Sequence, residues 1–166
     1  MNSMKCLVFS DTHGDSSLLI SAIRSHPDAE VVFFLGDGLS DIERAQALFN
    51  NISFIAVVGN CDSYRYLGNS EARKIEEITL LGNKILLTHG DLYNVKMSDD
   101  RLLYLAEERL PDILIYGHTH IKRLNYITLE NGHCLYIFNP GTARGYNASY
   151  GVITLYEGKP PLISFT

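Results

Sequence analysis

The chain has 166 residues, 46% of them hydrophobic and 20% charged, with a formal net charge of −5. That is chain enough to bury a core without disulfide or metal staples, and the composition carries no signature of disorder or low complexity. Lysines and arginines are scattered rather than clustered. This argues against an extended nucleic-acid surface, but leaves room for a small phosphate-bearing substrate if bound metal reverses the field locally.

The N-terminal "MNSMKCLVFSDTHGD" has one short apolar stretch, interrupted by Asp11 and His13. It reads as a first strand over 4–10 rather than a signal peptide, and no later run approaches membrane-spanning length. "SSLLISAIRSH" (16–26) has apolar residues at helical spacing, with Ser16 or Asp15 as N-cap. "EVVFFL" (30–35) is a buried strand broken by "GDG". "SDIERAQALF" (40–49) is helical, and "ISFIAVV" (52–58) is a third strand ending at "GNCD". Strand, loop and helix repeated in this way predict a parallel sheet with right-handed crossovers. The second half is strand-rich. Strands over 73–81 and 83–90 meet at a hairpin-like Gly82-Asn83, a helix over 99–110 is ended by Pro111, and "DILIYGHTH" (112–120) is a strand running into polar residues. Residues 122–141 alternate and turn at Asn131-Gly132, and strands over 150–158 and 161–166 close the chain. One domain over 1–166 is expected, a four-layer α/β/β/α sandwich of two facing mixed sheets flanked by helices.

Asp11 and His13, Asp37, Asn60, His89, and His118 with His120 all stand at strand exits. Singly each is a weak signal, since an isolated histidine is usually structural. Together they are not, because open α/β sheets gather the C-terminal ends of their strands around one crevice. Period-two geometry points Asp11 and His13, or His118 and His120, to one side if the chain stays extended. Gly14, Gly36, Gly59, Gly90 and Gly117 allow sharp turns there. Burying these carboxylates and imidazoles together without a cation would be costly. Oxygen and nitrogen donors suit Mn²⁺, Fe²⁺ or Zn²⁺, and seven candidates are too many for one tetrahedral ion. They suit two ions about 3.5–4 Å apart that share a carboxylate.

"DTHG", "GDG", "GNCD", "THG" and "GHTH", in that order and followed by "NPGT" (139–142), resemble the motif series of the calcineurin-like metallophosphoesterase superfamily. More narrowly, the chain is similar to its small single-domain YfcE-type phosphodiesterase branch. The resemblance spans Asp11 to about Gly141. It implies that Asp11, His13 and His120 hold one metal, that Asn60, His89 and His118 hold a second, and that Asp37 bridges them. Asp37, Asn60 and His89 would then serve catalysis, with attack by a metal-bridging hydroxide and no protein nucleophile. Mn²⁺ is the metal the resemblance implies first, with Zn²⁺, Fe²⁺ or Ni²⁺ as alternatives.

Position 61 departs from the superfamily's common pattern, in which a histidine follows the asparagine, contacts phosphate and helps protonate the leaving oxygen. Cys61 stands there instead, as the YfcE-type branch often has it. A thiol with a pKa of about 8.5 is a poor proton donor beside an imidazolium, so phosphodiesters and good leaving groups are expected over unactivated monoesters. Asn60, Cys61 and Arg144 are the candidate substrate contacts, although Arg144 reads equally well as an exposed structural arginine. Asp62 either holds an imidazole from outside the metal or caps a turn. Asp15 and Asp41 read as helix caps, His26 as a surface residue, His133 as a hairpin residue, and Cys6 and Cys134 as small core residues. The three cysteines offer neither a disulfide framework nor a zinc knuckle, and a reduced, cytoplasmic protein is expected. The alternatives are a phosphomonoesterase or nucleotidase, and a non-catalytic scaffold like the retromer subunit that shares the fold but has lost ligands. The expected partner is a small phosphate ester, with no membrane; the strand-rich half could supply an edge for a homo-oligomer.

Overall fold

A computed structural model describes residues 2–63 and 65–166. Strands β1 (Ser3–Phe9), β2 (Ala29–Phe34) and β3 (Ser53–Ala56) alternate with helices α1 (Ser17–Ser25) and α2 (Leu39–Leu48). A small hairpin, β4 (Tyr66–Leu67) and β5 (Ser70–Glu71), precedes β6 (Ile75–Leu80) and β7 (Asn83–Thr88). Helix α3 (Asp100–Arg109), β8 (Ile113–Ile115), β9 (Lys122–Thr128), β10 (Cys134–Pro140), β11 (Gly151–Tyr156) and β12 (Lys159–Phe165) complete the order. One sheet runs β12-β11-β1-β2-β3 and the other β6-β7-β8-β10-β9. In the first, β1, β2 and β3 are parallel while β11 and β12 are antiparallel; in the second, β7, β8 and β10 are parallel.

The expected four layers follow from strand alternation between two apolar faces. Cys6 and Val8 of β1, Val31 and Phe33 of β2, Ile85 and Leu87 of β7, and Ile113 and Ile115 of β8 meet between the sheets. The intervening Leu7, Phe9, Val32 and Phe34 pack outward on Leu19, Ala22 and Ile23 of α1 and on Leu39, Ile42 and Ala45 of α2. On the far side, Leu86, Leu114, Leu135 and Ile137 pack on Leu102, Leu105 and Ala106 of α3. Strands covered on both faces read as continuous apolar runs, which is why these segments show no polar alternation. Helices of nine or ten residues are marginal alone, so these packed faces hold them.

Several boundaries differ from the sequence reading. The turn between β6 and β7 is Leu81-Gly82, both left-handed (φ 47° and 80°), one residue earlier than Gly82-Asn83. A two-residue hairpin of type I′ needs positive φ at both centres. Here Asn83 begins the next strand, and its side-chain amide donates to the Leu81 carbonyl at 3.2 Å. The β4–β5 hairpin is new, since two-residue strands leave no period to read. Residues Val57 and Val58 leave β3 to meet Arg73, with Val58 N donating to Arg73 O at 2.9 Å. The β9–β10 turn falls where expected, with Gly132 at φ 85°. No described helix is long and apolar enough to cross a membrane.

Candidate metal centre

The loops after β1, β2 and β3 in one sheet, and after β7, β8 and β10 in the other, meet at one end of the sandwich. Backbone hydrogen bonds tie them together. Asp11 N donates to Gly36 O at 3.0 Å, His13 N to Asp37 O at 2.9 Å, Gly117 N to His89 O at 3.0 Å, and Ala143 N to Ser10 O at 2.8 Å. The last of these stitches one sheet to the other.

The seven predicted residues come together, but not on extended chain. Five of the eight described non-glycine residues with positive φ are Asp11, His13, Asp37, His118 and His120, at φ 47–65°. The period-two expectation for Asp11/His13 and His118/His120 is therefore wrong in its geometry. The pairs converge because the backbone coils left-handed, a conformation that costs energy and gathers at functional sites. Of the five glycines, Gly14, Gly36 and Gly90 do adopt positive φ, whereas Gly59 and Gly117 act by size. A Cβ on Gly59 would strike the Asp37 carboxylate, and one on Gly117 the Ser10 hydroxyl.

Two donor clusters result. In one, His120 Nε2 lies 3.1 Å from Asp11 Oδ1 and 3.3 Å from His13 Nε2, which is itself 3.6 Å from Asp11 Oδ1. In the other, His89 Nε2 lies 3.1 Å from Asn60 Oδ1, 3.1 Å from His118 Nδ1 and 3.3 Å from Asp37 Oδ2. That same Asp37 Oδ2 is 3.9 Å from His13 Nε2, so one oxygen faces both clusters.

Each carboxylate divides its work. Asp11 Oδ2 accepts from the Ser10 hydroxyl and from His118 N (3.1 Å), which leaves Oδ1 to the first cluster. Asp37 Oδ1 accepts from Cys61 N at 2.8 Å, leaving Oδ2. His89 Nδ1 meets the Leu35 carbonyl at 2.6 Å; a carbonyl only accepts, so Nδ1 carries the proton and Nε2 turns a lone pair inward.

Lone pairs of Asn60, His89, His118 and Asp37 thus face one another. One proton on His89 Nε2 could serve one of these contacts; a divalent cation serves them all. The separations agree, because bonds of 2.0–2.2 Å make the edges of a coordination polyhedron about 3.0–3.5 Å. The residues present therefore fit divalent cations. Burial works against charge on Asp37, but hydrogen bonds from His89 and Cys61 N hold its carboxyl far below the usual range. Burial likewise opposes protonation of His89, and the Asp37 contact with the Asp11 and Asp37 charges outweighs it, moving the imidazole upward. His118 moves down, through burial and the neighbouring His89.

Around the donors stand residues that sequence reasoning misread or left without a role. Asp62 touches no imidazole in the hydrogen bonds described. It accepts from the backbone N–H of Asp37 (2.8 Å), Gly38 (2.8 Å), Leu39 (3.0 Å) and Gly59 (2.8 Å), which caps α2 and fastens the Asp37 loop to the Asn60 loop. Asp41 is not a cap. It is buried, and takes Thr12 Oγ1 at 2.6 Å and Gly14 N at 2.9 Å, securing the loop of Asp11 and His13. Asn139 holds the His118 loop by donating to Gly117 O (2.9 Å) and Thr119 Oγ1 (3.1 Å), and Thr142 Oγ1 donates to Asp11 O (2.9 Å). "NPGT" was the available signal for these two. Lys74 bridges Gly59 O (3.3 Å) and Asp91 Oδ2 (3.2 Å), and no local pattern announces it.

Cys61 is exposed beside the cluster, its thiol pushed up by desolvation and by the Asp37 charge, which disfavours a thiolate. Arg144 is exposed at the rim, with Nη1 donating to His13 O at 3.3 Å. Asp15 caps α1 by accepting from Ser17 N (3.0 Å). His26 is half-buried against the Tyr150 hydroxyl (3.1 Å) rather than free on the surface, and His133 pairs with Pro111 O (2.7 Å). Cys6 is buried between the sheets, its thiol pushed up to about 12 by burial, whereas Cys134 is only half-buried, at the start of β10.

Comparison with known proteins agrees with this fold. The calcineurin-like phosphoesterase superfamily domain matches residues 4–158. The probable metallophosphoesterase YsnB of Bacillus subtilis is 30% identical over 156 residues, 92% of this chain and 85% of the relative. Among solved structures, the phosphoesterase YfcE of E. coli is 26% identical with a TM-score of 0.61, covering 90% of this chain and 87% of its own. The vacuolar protein sorting 29 protein of Cryptosporidium parvum has a TM-score of 0.73 at 21% identity, covering 99% of this chain and 97% of its own, a likeness of fold alone.

Proposed function

The chain belongs to the calcineurin-like phosphoesterase superfamily, and from that premise we propose a two-metal phosphodiesterase that cleaves small phosphate esters. The observation that carries this is the pair of donor clusters meeting at Asp37 Oδ2, 3.3 Å from His89 and 3.9 Å from His13. Asp11, His13 and His120 would hold one ion, and Asn60, His89 and His118 the other, with Mn²⁺ first among candidates. Bound there, the ions supply positive charge that activates water and offsets the negative charge growing on the phosphoryl oxygens. Asp37 sets the spacing between the two seats. The Leu35 carbonyl keeps His89 in the tautomer that can ligate. Cys61 offers no imidazolium to protonate a leaving alkoxide, so diesters and activated esters are favoured over plain monoesters. Arg144, exposed at the rim beside the His13 carbonyl, would meet substrate phosphate.

The scaffold reading shares this fold, but all seven donor positions here carry competent side chains. Metal analysis of the purified protein, with hydrolysis of bis-p-nitrophenyl phosphate and p-nitrophenyl phosphate in Mn²⁺, is the test. Two ions per chain and a faster bis-ester are expected. A much faster monoester would overturn the diesterase reading, and a metal-loaded but inert protein would favour the scaffold.

A further inference from the structure

Beside the donor clusters lies a cavity of about 130 Å³ bordered by His13, Asp37, Gly38, Ser40, Cys61 and Ser63. It is far smaller than the roughly 300–1,000 Å³ that holds drug-sized ligands, so it accepts a fragment of a substrate rather than a nucleoside. Its position is informative. His13 and Asp37 belong to the donor set, so one ester arm of a phosphate held at the clusters has this cavity as its neighbour. Cys61 borders it, and its short side chain takes up less of that space than an imidazole at position 61 would.

The lining defines the occupant. It includes no lysine or arginine, so nothing in the wall would pair with a second phosphate. The wall is mostly polar, with the exposed Ser40 and Ser63 contributing hydroxyls, so an aryl or alkyl arm would leave those groups facing apolar surface. An uncharged, hydroxyl-bearing arm satisfies size, charge and polarity together. We propose that this cavity binds the neutral polyol arm of a phosphodiester, a glycerol- or pentose-sized alcohol, with Ser40 and Ser63 as its specificity-determining residues. This rests on the phosphodiesterase reading and adds the substrate class to it.

The test is binding, so that it does not depend on turnover. Calorimetry with Mn²⁺-loaded protein compares glycerol phosphate with propyl phosphate, equal in chain length and different in hydroxyls. About tenfold tighter binding of glycerol phosphate is expected, the worth of one or two neutral hydrogen bonds. The double variant Ser40→Ala/Ser63→Ala should reduce the ratio to within about twofold. Cys61→His, with its larger side chain, should remove it as well. Equal affinities in the parent protein, or a ratio that survives the serine double variant, overturn the subsite. Hydrolysis of bis-p-nitrophenyl phosphate is followed in parallel. A polyol preference without any diester hydrolysis supports the subsite and overturns the diesterase reading; diester hydrolysis without the preference does the reverse.

Discussion

The two donor clusters use the same side-chain chemistry in unlike surroundings. Around His89 two donors are enclosed, the His89 and Asp37 side chains being 0% and 3% exposed, while His118 is half-buried and Asn60 exposed. Around His13 only Asp11 is enclosed, with the His13 and His120 side chains 23% and 45% exposed. Each half has its own backing carboxylate, Asp62 behind the loops of Asp37 and Asn60 and Asp41 behind the loop of Asp11 and His13. Enclosure lowers the local dielectric and strengthens ion–ligand attraction, while exposure favours exchange with solvent. The half around His89 is therefore the more enclosed, and the half around His13 the more open to solvent.

Asp37→Ala removes the group common to both halves and should erase the contrast altogether. A fall of about 10³-fold or more in bis-ester kcat/KM is expected, with loss of one bound ion by metal analysis. Unchanged hydrolysis would sink the two-cluster mechanism. Asp62→Ala strikes the loops of Asp37 and Asn60, leaving four amides to find water. Urea unfolding should show about 2–3 kcal/mol lost, and an unaltered midpoint would mean the loops are held by other contacts. His89→Ala and His120→Ala set the halves directly against each other. His89→Ala should weaken metal binding about tenfold more in competition with a metal-sensitive dye, because its donor sits at lower dielectric. Equal losses would abolish the distinction. The smallest change is Cys61→His, expected to raise the monoester-to-diester rate ratio several-fold by returning a proton donor. A ratio that fell or stayed put would show that position 61 does not govern leaving-group chemistry.

Much of this was legible in the sequence, for identifiable reasons. Strand runs such as 31–35 and 113–116 are apolar because both faces are covered, and the donors stand where those runs stop. What could not be read depends on contacts distant in sequence. Asp62 bonds amides 23 to 25 residues away, and Asp41 bonds Thr12 from 29 residues away, so Asp62 looks like a turn residue and Asp41 like an ordinary acid near a helix start. The Leu81-Gly82 turn slipped by one position because Gly82 is compatible with either register, and only the pairing of Leu80 with Asn83 fixes it. The left-handed backbone at the donors was hidden for a different reason, since it is imposed by crossings such as Asp11 N to Gly36 O.

That left-handed backbone also limits which letters the site can be spelled with. Asparagine, aspartate and histidine are the non-glycine residues that enter this region most readily, and all five positive-φ donors are aspartate or histidine. Backbone geometry and ligand chemistry thus select the same residue types independently. Glutamate has the right charge but adds a methylene and lacks that backbone tolerance, so it fails on two counts at Asp11 or Asp37. An alphabet this narrow makes the motif series hard to reach by gradual drift.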